Sequence, residues 1–162
     1  MFMAENQEPW YCALRGYLTH PEYEFHKLNT IALVDLDTGH RTLIPISPVC
    51  WLPSSYSGPD DLYAVGYTDE RGPLEKIFHK MKHIDLQLCN DFYNEMDLAD
   101  EVMVPVNYNC AFAVNLNQSC VWDTGTALVS NVTGCWVLVG FGVHGPGCSA
   151  PARFVDLTSY YP

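Results

Sequence analysis

The chain has 162 residues, of which 48% are hydrophobic and 13% aromatic, so it can bury a sizeable core. Its formal net charge is −11 at pH 7. Nucleic-acid binding needs a basic surface, so this charge argues against a nucleic-acid partner and fits a protein partner with a basic face. No stretch approaches the roughly 20 apolar residues that span a bilayer, and we expect no membrane span.

The seven cysteines stand singly rather than in the close pairs typical of metal sites. Disulfides form in oxidising compartments, and two glycosylation sequons, at Asn117 and Asn131, agree with a secretory route. We therefore predict a secreted or secretory-lumen glycoprotein with disulfides; a cytosolic protein with free thiols is the alternative. The start, MFMAEN, does not fit a signal peptide, which suggests a longer precursor or an incomplete N-terminus.

In chain order, the first clear element is Ile31–Leu36, where β-branched and apolar residues predict a strand. The sequence DTG at residues 37–39 is typical of a turn. Residues 54–61, SSYSGPDD, are rich in turn formers and predict a loop.

The most informative stretch is residues 120–128, CVWDTGTAL, followed by residues 145–148, GPGC. It resembles the active-site segment of chymotrypsin/trypsin-like serine proteases, in which CxGDSGGPL carries the nucleophile and SWGxGC follows. The matching residues are Cys120, Asp123, Gly125, Leu128, Gly145, Gly147 and Cys148. Thr124 stands where the nucleophilic Ser belongs, and Trp122 stands where an oxyanion-hole Gly belongs.

Further landmarks occur in the family's order from about residue 19 to the end. Residues 29–33, NTIAL, resemble the NDIAL segment that delivers the triad aspartate, with Thr30 in its place. Residues 62–67 resemble a family strand, and residues 89–94, CNDFYN, resemble a segment followed by a short helix. The resemblance implies an all-β, chymotrypsin-like fold of Greek-key barrels. Residues 54–162 would form a complete C-terminal barrel, and residues 1–53 the linker and a partial N-terminal barrel with exposed apolar faces.

The resemblance also implies pocket positions and disulfides. Remnants of the substrate pocket would be Gln118 for a specificity aspartate, Asp123 as a retained structural residue, His144 for a wall tryptophan, Gly145, and Ala152 for a pocket glycine. Family positions pair Cys89 with Cys110 and Cys120 with Cys148. Cys50 in relatives tethers an upstream segment, so it could bridge to another chain, with Cys135 as an alternative partner; Cys12 has no counterpart.

His79 and His83 are four residues apart, a spacing that can bind a metal on a helix. The family implies a strand here, on which Ile77, His79, Met81 and His83 would share one face. No carboxylate or cysteine completes a ligand set. We therefore predict neither a metal nor another cofactor.

The family's reaction needs a hydroxyl nucleophile, an imidazole base, a carboxylate that orients it, and two backbone N–H donors for the oxyanion. Loss of the carboxylate costs about 10⁴ in rate and loss of one oxyanion donor about 10² to 10³. None of the six histidines stands in the TAAHC context of the family's base. We therefore predict no enzyme but a non-catalytic homologue, a protein-binding, cofactor or structural module in an assembly with other protein chains. The alternative is a threonine-type hydrolase in which Thr124 uses a histidine from another segment or chain.

Overall fold

The computed structural model describes residues 12–24, 29–37, 47–54, 56, 61–68, 75–98, 107–117, 120–132, 134–143, 147–148 and 150–161. The chain folds as two compact units, residues 1–48 and 49–162.

The first unit contains an antiparallel two-stranded ribbon of β1 (Ala13–Thr19) and β2 (Ala32–Asp37). The second strand thus begins and ends one residue later than predicted. Cross-strand pairing puts Leu14 opposite Leu36 and Tyr17 opposite Val34, so these four apolar side chains share one face. Their exposed fractions run from 44% to 67%, so the expected exposed apolar face is present in the described part of this unit.

The second unit is a closed antiparallel barrel, and the all-β prediction is confirmed. Around the barrel the strands follow the order β3, β4, β5, β8, β7, β6, with β6 pairing back to β3. Because β5 lies beside β8, the chain crosses one end of the barrel between β5 and β6. The bounds are β3 (Leu62–Thr68), β4 (Glu75–Ile84), β5 (Tyr108–Ala113), β6 (Ala127–Val132), β7 (Cys135–Gly142) and β8 (Ala152–Asp156).

Alternate residues of each strand fill the barrel, as a period of two requires. On β3, Leu62 and Ala64 are each 1% exposed, and on β8 Phe154 is 1% exposed. Close strand contact depends on Gly140, where an added Cβ would clash with the carbonyl oxygen of Val155 and the ring of Phe154. The packing around Gly140 therefore leaves no room for a side chain at this position of β7.

The helix of the barrel unit, α1, spans Leu86–Glu95. The prediction that a helix follows residues 89–94 is therefore wrong: the segment lies within the helix. Asp85 caps the helix, since its carboxylate accepts the Gln87 backbone N–H at 2.8 Å. The spacing of Cys89 and Tyr93 puts both on one buried face, which packs against Cys110. No helix in the described part of the chain has the length and apolar character needed to cross a membrane.

Three disulfides join cysteines of the described residues. Two of them, Cys89–Cys110 and Cys120–Cys148, are the pairs that the resemblance implies. The third joins Cys50 to Cys135.

The expectation of a Cys50 bridge to another polypeptide is therefore wrong. The Cys50 backbone N–H donates to the carbonyl oxygen of Trp136 at 2.8 Å, and Cys50 forms a parallel bridge with Val137. This brings the Cα atoms of Cys50 and Cys135 within 6.0 Å, a separation that a disulfide spans. Among the described cysteines, Cys12 remains as an exposed free thiol.

Candidate active-site region

The segment before β6 forms a tight turn whose tip is Thr124 and Gly125. Gly125 has φ of +85°, a backbone conformation that residues other than glycine rarely adopt. The turn is tied to β7 by two backbone hydrogen bonds of 2.8 Å, one from Gly125 N–H to Gly142 O and one from Gly142 N–H to Thr126 O. The tip is thus fixed by a continuation of the β6–β7 ladder.

Thr126 holds the turn from inside. Its hydroxyl accepts the Asp123 backbone N–H at 2.9 Å and donates to the Val121 carbonyl at 3.0 Å, while its own backbone N–H donates to the Asp123 carbonyl at 3.0 Å. The residue is 8% exposed. Sequence reasoning did not single out Thr126, although a threonine three residues after an aspartate is a known local hydrogen-bonding pattern.

Asp123 and Thr124 are brought together in one local contact. The backbone N–H of Thr124 donates to Oδ1 of Asp123 at 2.7 Å. Both residues are exposed. The amide at Thr124 therefore points at a neighbouring carboxylate.

The Trp122 side chain is part of the core and only 9% exposed. Its indole N–H donates to the carbonyl oxygen of Val143 at 3.1 Å. The indole packs closely against Gly142, where an added Cβ would come within 3.1 Å of Cζ2 of the ring. Trp122 thus packs against β7 at Gly142 and donates to Val143, the residue that precedes His144 of the predicted pocket wall.

Of the remaining predicted site residues, the structure describes Ala152 and Thr30. Gln118, His144 and Gly145 lie outside the described residues. Ala152 begins β8, pairs with Ala111 and is 0% exposed. Thr30 lies in the first unit, just before β2, and its Oγ1 is buried without a hydrogen-bond partner in the described part of that unit.

The two histidines on β4 have different surroundings. His79 is 0% exposed, and its Nε2 lies 2.9 Å from the carbonyl oxygen of Asn115. Ile77 and Met81 are its neighbours on the inner side of the strand, whereas His83 is exposed. Within the described ranges, no three His, Cys, Asp or Glu side chains are grouped so that they could hold a metal ion.

An arginine that sequence reasoning did not single out is buried beside α1. Arg153 is 4% exposed, and its guanidinium carbon lies 3.8 Å from the ring centre of Tyr93 and 5.4 Å from that of Tyr108. Its Nη2 donates to Oδ1 of Asn90 at 3.3 Å. Burial raises the pKa of Tyr93, and the positive charge of Arg153 partly opposes that rise. The faces of two aromatic rings lie against this cation.

Similarity to known proteins adds to the evidence of the barrel, the disulfides and the turn. A family model described as Trypsin matches residues 4–162. The chain belongs to the trypsin family. A trypsin-family relative from Anopheles gambiae, CLIP domain-containing serine protease B15, is 26% identical over 165 residues, which cover 91% of this chain and 44% of the relative. The chain therefore spans less than half the length of this curated relative.

Membership of the trypsin family gives the turn at Thr124 its significance. The motif predicts that this turn corresponds to the loop on which active members of the family carry their nucleophile and oxyanion donors. The hydrogen bonds made by Thr124 and Trp122 therefore limit the chemistry that the loop supports.

Proposed function

We propose that this chain is a non-catalytic member of the trypsin family that acts through its surface in an assembly with at least one other polypeptide. The observation that carries the proposal is the hydrogen bond from the Thr124 backbone N–H to the Asp123 carboxylate. We further propose a secreted or secretory-lumen location, supported by three disulfides in the barrel unit.

The arrangement at Thr124 is unsuited to binding an oxyanion. Family catalysis uses the backbone N–H of the nucleophilic residue and that of the residue two positions earlier. Here the Thr124 N–H already has an anionic acceptor at 2.7 Å. A developing oxyanion would have to displace this carboxylate and would also meet its negative charge. Both effects raise the free energy of the reaction's transition state rather than lower it.

Trp122 also disfavours catalysis. The family uses a glycine here, and a tryptophan restricts the backbone conformations that turn an N–H toward substrate. The buried indole also occupies the surface of β7 at Gly142 and uses the carbonyl of Val143 as its acceptor. A peptide substrate that needed this carbonyl or this surface would have to expel a core side chain.

The residues at the positions of the nucleophile and of the triad aspartate are poor substitutes for the family's groups. The extra methyl group of Thr124 restricts χ1 relative to serine. Thr30 carries no charge, so it cannot stabilise an imidazolium as a carboxylate does. The losses need not add, but each one alone is severe.

The assembly part of the proposal is supported by the β1–β2 ribbon. A two-stranded ribbon is marginally stable by itself, and three or more strands or a covering surface are normally needed. The face of Leu14, Tyr17, Val34 and Leu36 is apolar and open, which is typical of a surface that another polypeptide covers. The chain's net charge of −11 favours a partner with a basic face.

A fluorophosphonate probe tests the catalytic part. The wild type, Thr124→Ser and Thr124→Ala should all remain unlabelled, whereas active trypsin in the same reaction is labelled. Turnover or labelling restored by Thr124→Ser alone would contradict the proposal. Labelling of the wild type that Thr124→Ala abolishes would instead support the threonine-type hydrolase.

Size-exclusion chromatography with mass detection on native protein tests the assembly part. We expect a species heavier than the chain's own 18.3 kDa. Replacing Val34 by Asp on the apolar face should shift the mass toward that of the single chain. A monodisperse 18.3 kDa species in the native preparation would remove the assembly part and leave the catalytic part standing.

A further inference from the structure

The outer surface of the barrel carries an aromatic cluster beside one sequon. Trp136 on β7 lies directly opposite Asn131 on β6. Its ring centre is 5.5 Å from that of Tyr63 on β3, edge-to-face at 75°, and 5.9 Å from that of Phe78 on β4. Residues directly opposite each other in an antiparallel pair present their side chains to the same face. Asn131 and this cluster therefore share the outer surface.

The indole extends across β6. This strand lies between β7, which carries Trp136, and β3, which carries Tyr63. The indole also contacts Phe78 on β4, the strand beyond β3, so it reaches over β6. Val129 supports this placement: it alternates with the inward Leu128 and Ser130, so it points outward, yet it is only 8% exposed. Asn131 is the next outward residue on β6 and therefore lies at the edge of the indole.

The side chain of Asn131 is exposed and held in one orientation. Its Oδ1 accepts the backbone N–H of Gly134 at 2.9 Å, at the turn between β6 and β7. This bond fixes the carboxamide through its oxygen and leaves Nδ2, the atom that a glycan modifies, for the sugar. A sugar attached there starts beside the Trp136 ring.

We propose that an N-linked glycan on Asn131 packs its first N-acetylglucosamine against Trp136. The face of an aromatic ring is electron-rich, and the C–H bonds on one side of a pyranose ring are weakly positive, so the two surfaces attract. The contact covers apolar ring surface that would otherwise face water. The other sequon, at Asn117, lies in an exposed turn whose described neighbours Val114 and Leu116 are aliphatic.

This inference rests on the proposed secretory route and not on the loss of catalysis. To separate the two, the full chain is secreted from eukaryotic cells behind a cleavable signal, so that glycosylation is tested whatever the natural location is. Three forms are compared: the high-mannose protein, the same protein trimmed by endoglycosidase H to one N-acetylglucosamine, and Asn131→Gln. Asn117→Gln is the matched control at the second sequon.

We expect the glycosylated protein and the trimmed form to melt about 2–4 °C above Asn131→Gln, and Asn117→Gln to melt with the wild type. In Trp136→Leu the effect of the glycan should be lost. The protons of the first sugar should also show an upfield ring-current shift in the NMR spectrum of the trimmed wild type, a readout that needs no variant. An unmodified Asn131, or unshifted sugar protons at a modified Asn131, would overturn the proposal.

Discussion

Replacing Trp122 by Phe should lower the free energy of unfolding by about 1–3 kcal/mol. Phenylalanine keeps most of the apolar contact with Gly142 but has no donor for the carbonyl of Val143, a residue that is 2% exposed. An acceptor left unpaired in the interior costs about 1–3 kcal/mol. Trp122→Ala removes the ring as well, and large-to-small changes of this kind cost about 3–5 kcal/mol.

Urea denaturation followed by far-ultraviolet circular dichroism, with the disulfides intact, measures both changes. Trp51→Phe is the control, since Trp51 is 69% exposed and makes an edge-on contact with Tyr161 at 4.9 Å. Its effect should stay within about 0.5 kcal/mol. Equal stability losses for Trp122→Phe and Trp51→Phe would refute the argument that Trp122 has become a structural residue of the barrel.

Three further comparisons test the packing and the ionisation of the barrel unit. Gly140→Ala should cost about 1–3 kcal/mol because a Cβ does not fit there, whereas Gly16→Ala, which has open space around it, should be nearly neutral; urea melts compare the two. Thr126→Val should destabilise the barrel more than Thr126→Ser, because only serine keeps the hydroxyl that accepts from Asp123 and donates to Val121. The same urea melts compare the two free energies of unfolding. Burial raises the pKa of Tyr93, so its stabilising contribution is present below about pH 10, the ordinary tyrosine value, and falls as pH rises above it. Tyr93→Phe should flatten this alkaline loss in melts between about pH 9 and 11, and an unchanged slope would contradict the assignment.

The barrel was predictable because its landmarks are local. A short motif of cysteine, aspartate and glycine fixes the turn at Gly125, and alternating apolar residues fix the inward face of β3. The position of helix α1 was predicted from the cysteine motif of residues 89–94. The stronger signals are the cap at Asp85 and the four-residue spacing of Cys89 and Tyr93.

The features that escaped prediction depend on contacts between distant residues. Arginine is normally exposed, so nothing local indicated that Arg153 would be enclosed by the rings of Tyr93 and Tyr108. The pairing of Cys50 with Cys135 stayed open because it depends on a parallel bridge over a sequence separation of 85 residues. For Trp122, the sequence indicated which group is lost, but the acceptor at Val143 became visible only when β7 was in place.

The three disulfides keep the barrel covalently linked when its backbone is cleaved once. The Cys50–Cys135 loop encloses Cys89–Cys110, and the Cys120–Cys148 loop overlaps its end. Any single break of the backbone between residues 50 and 148 is therefore bridged by at least one sulfur–sulfur bond. A protease that nicked an exposed loop in this interval would leave both pieces covalently attached, and the nick would show on a gel only after reduction.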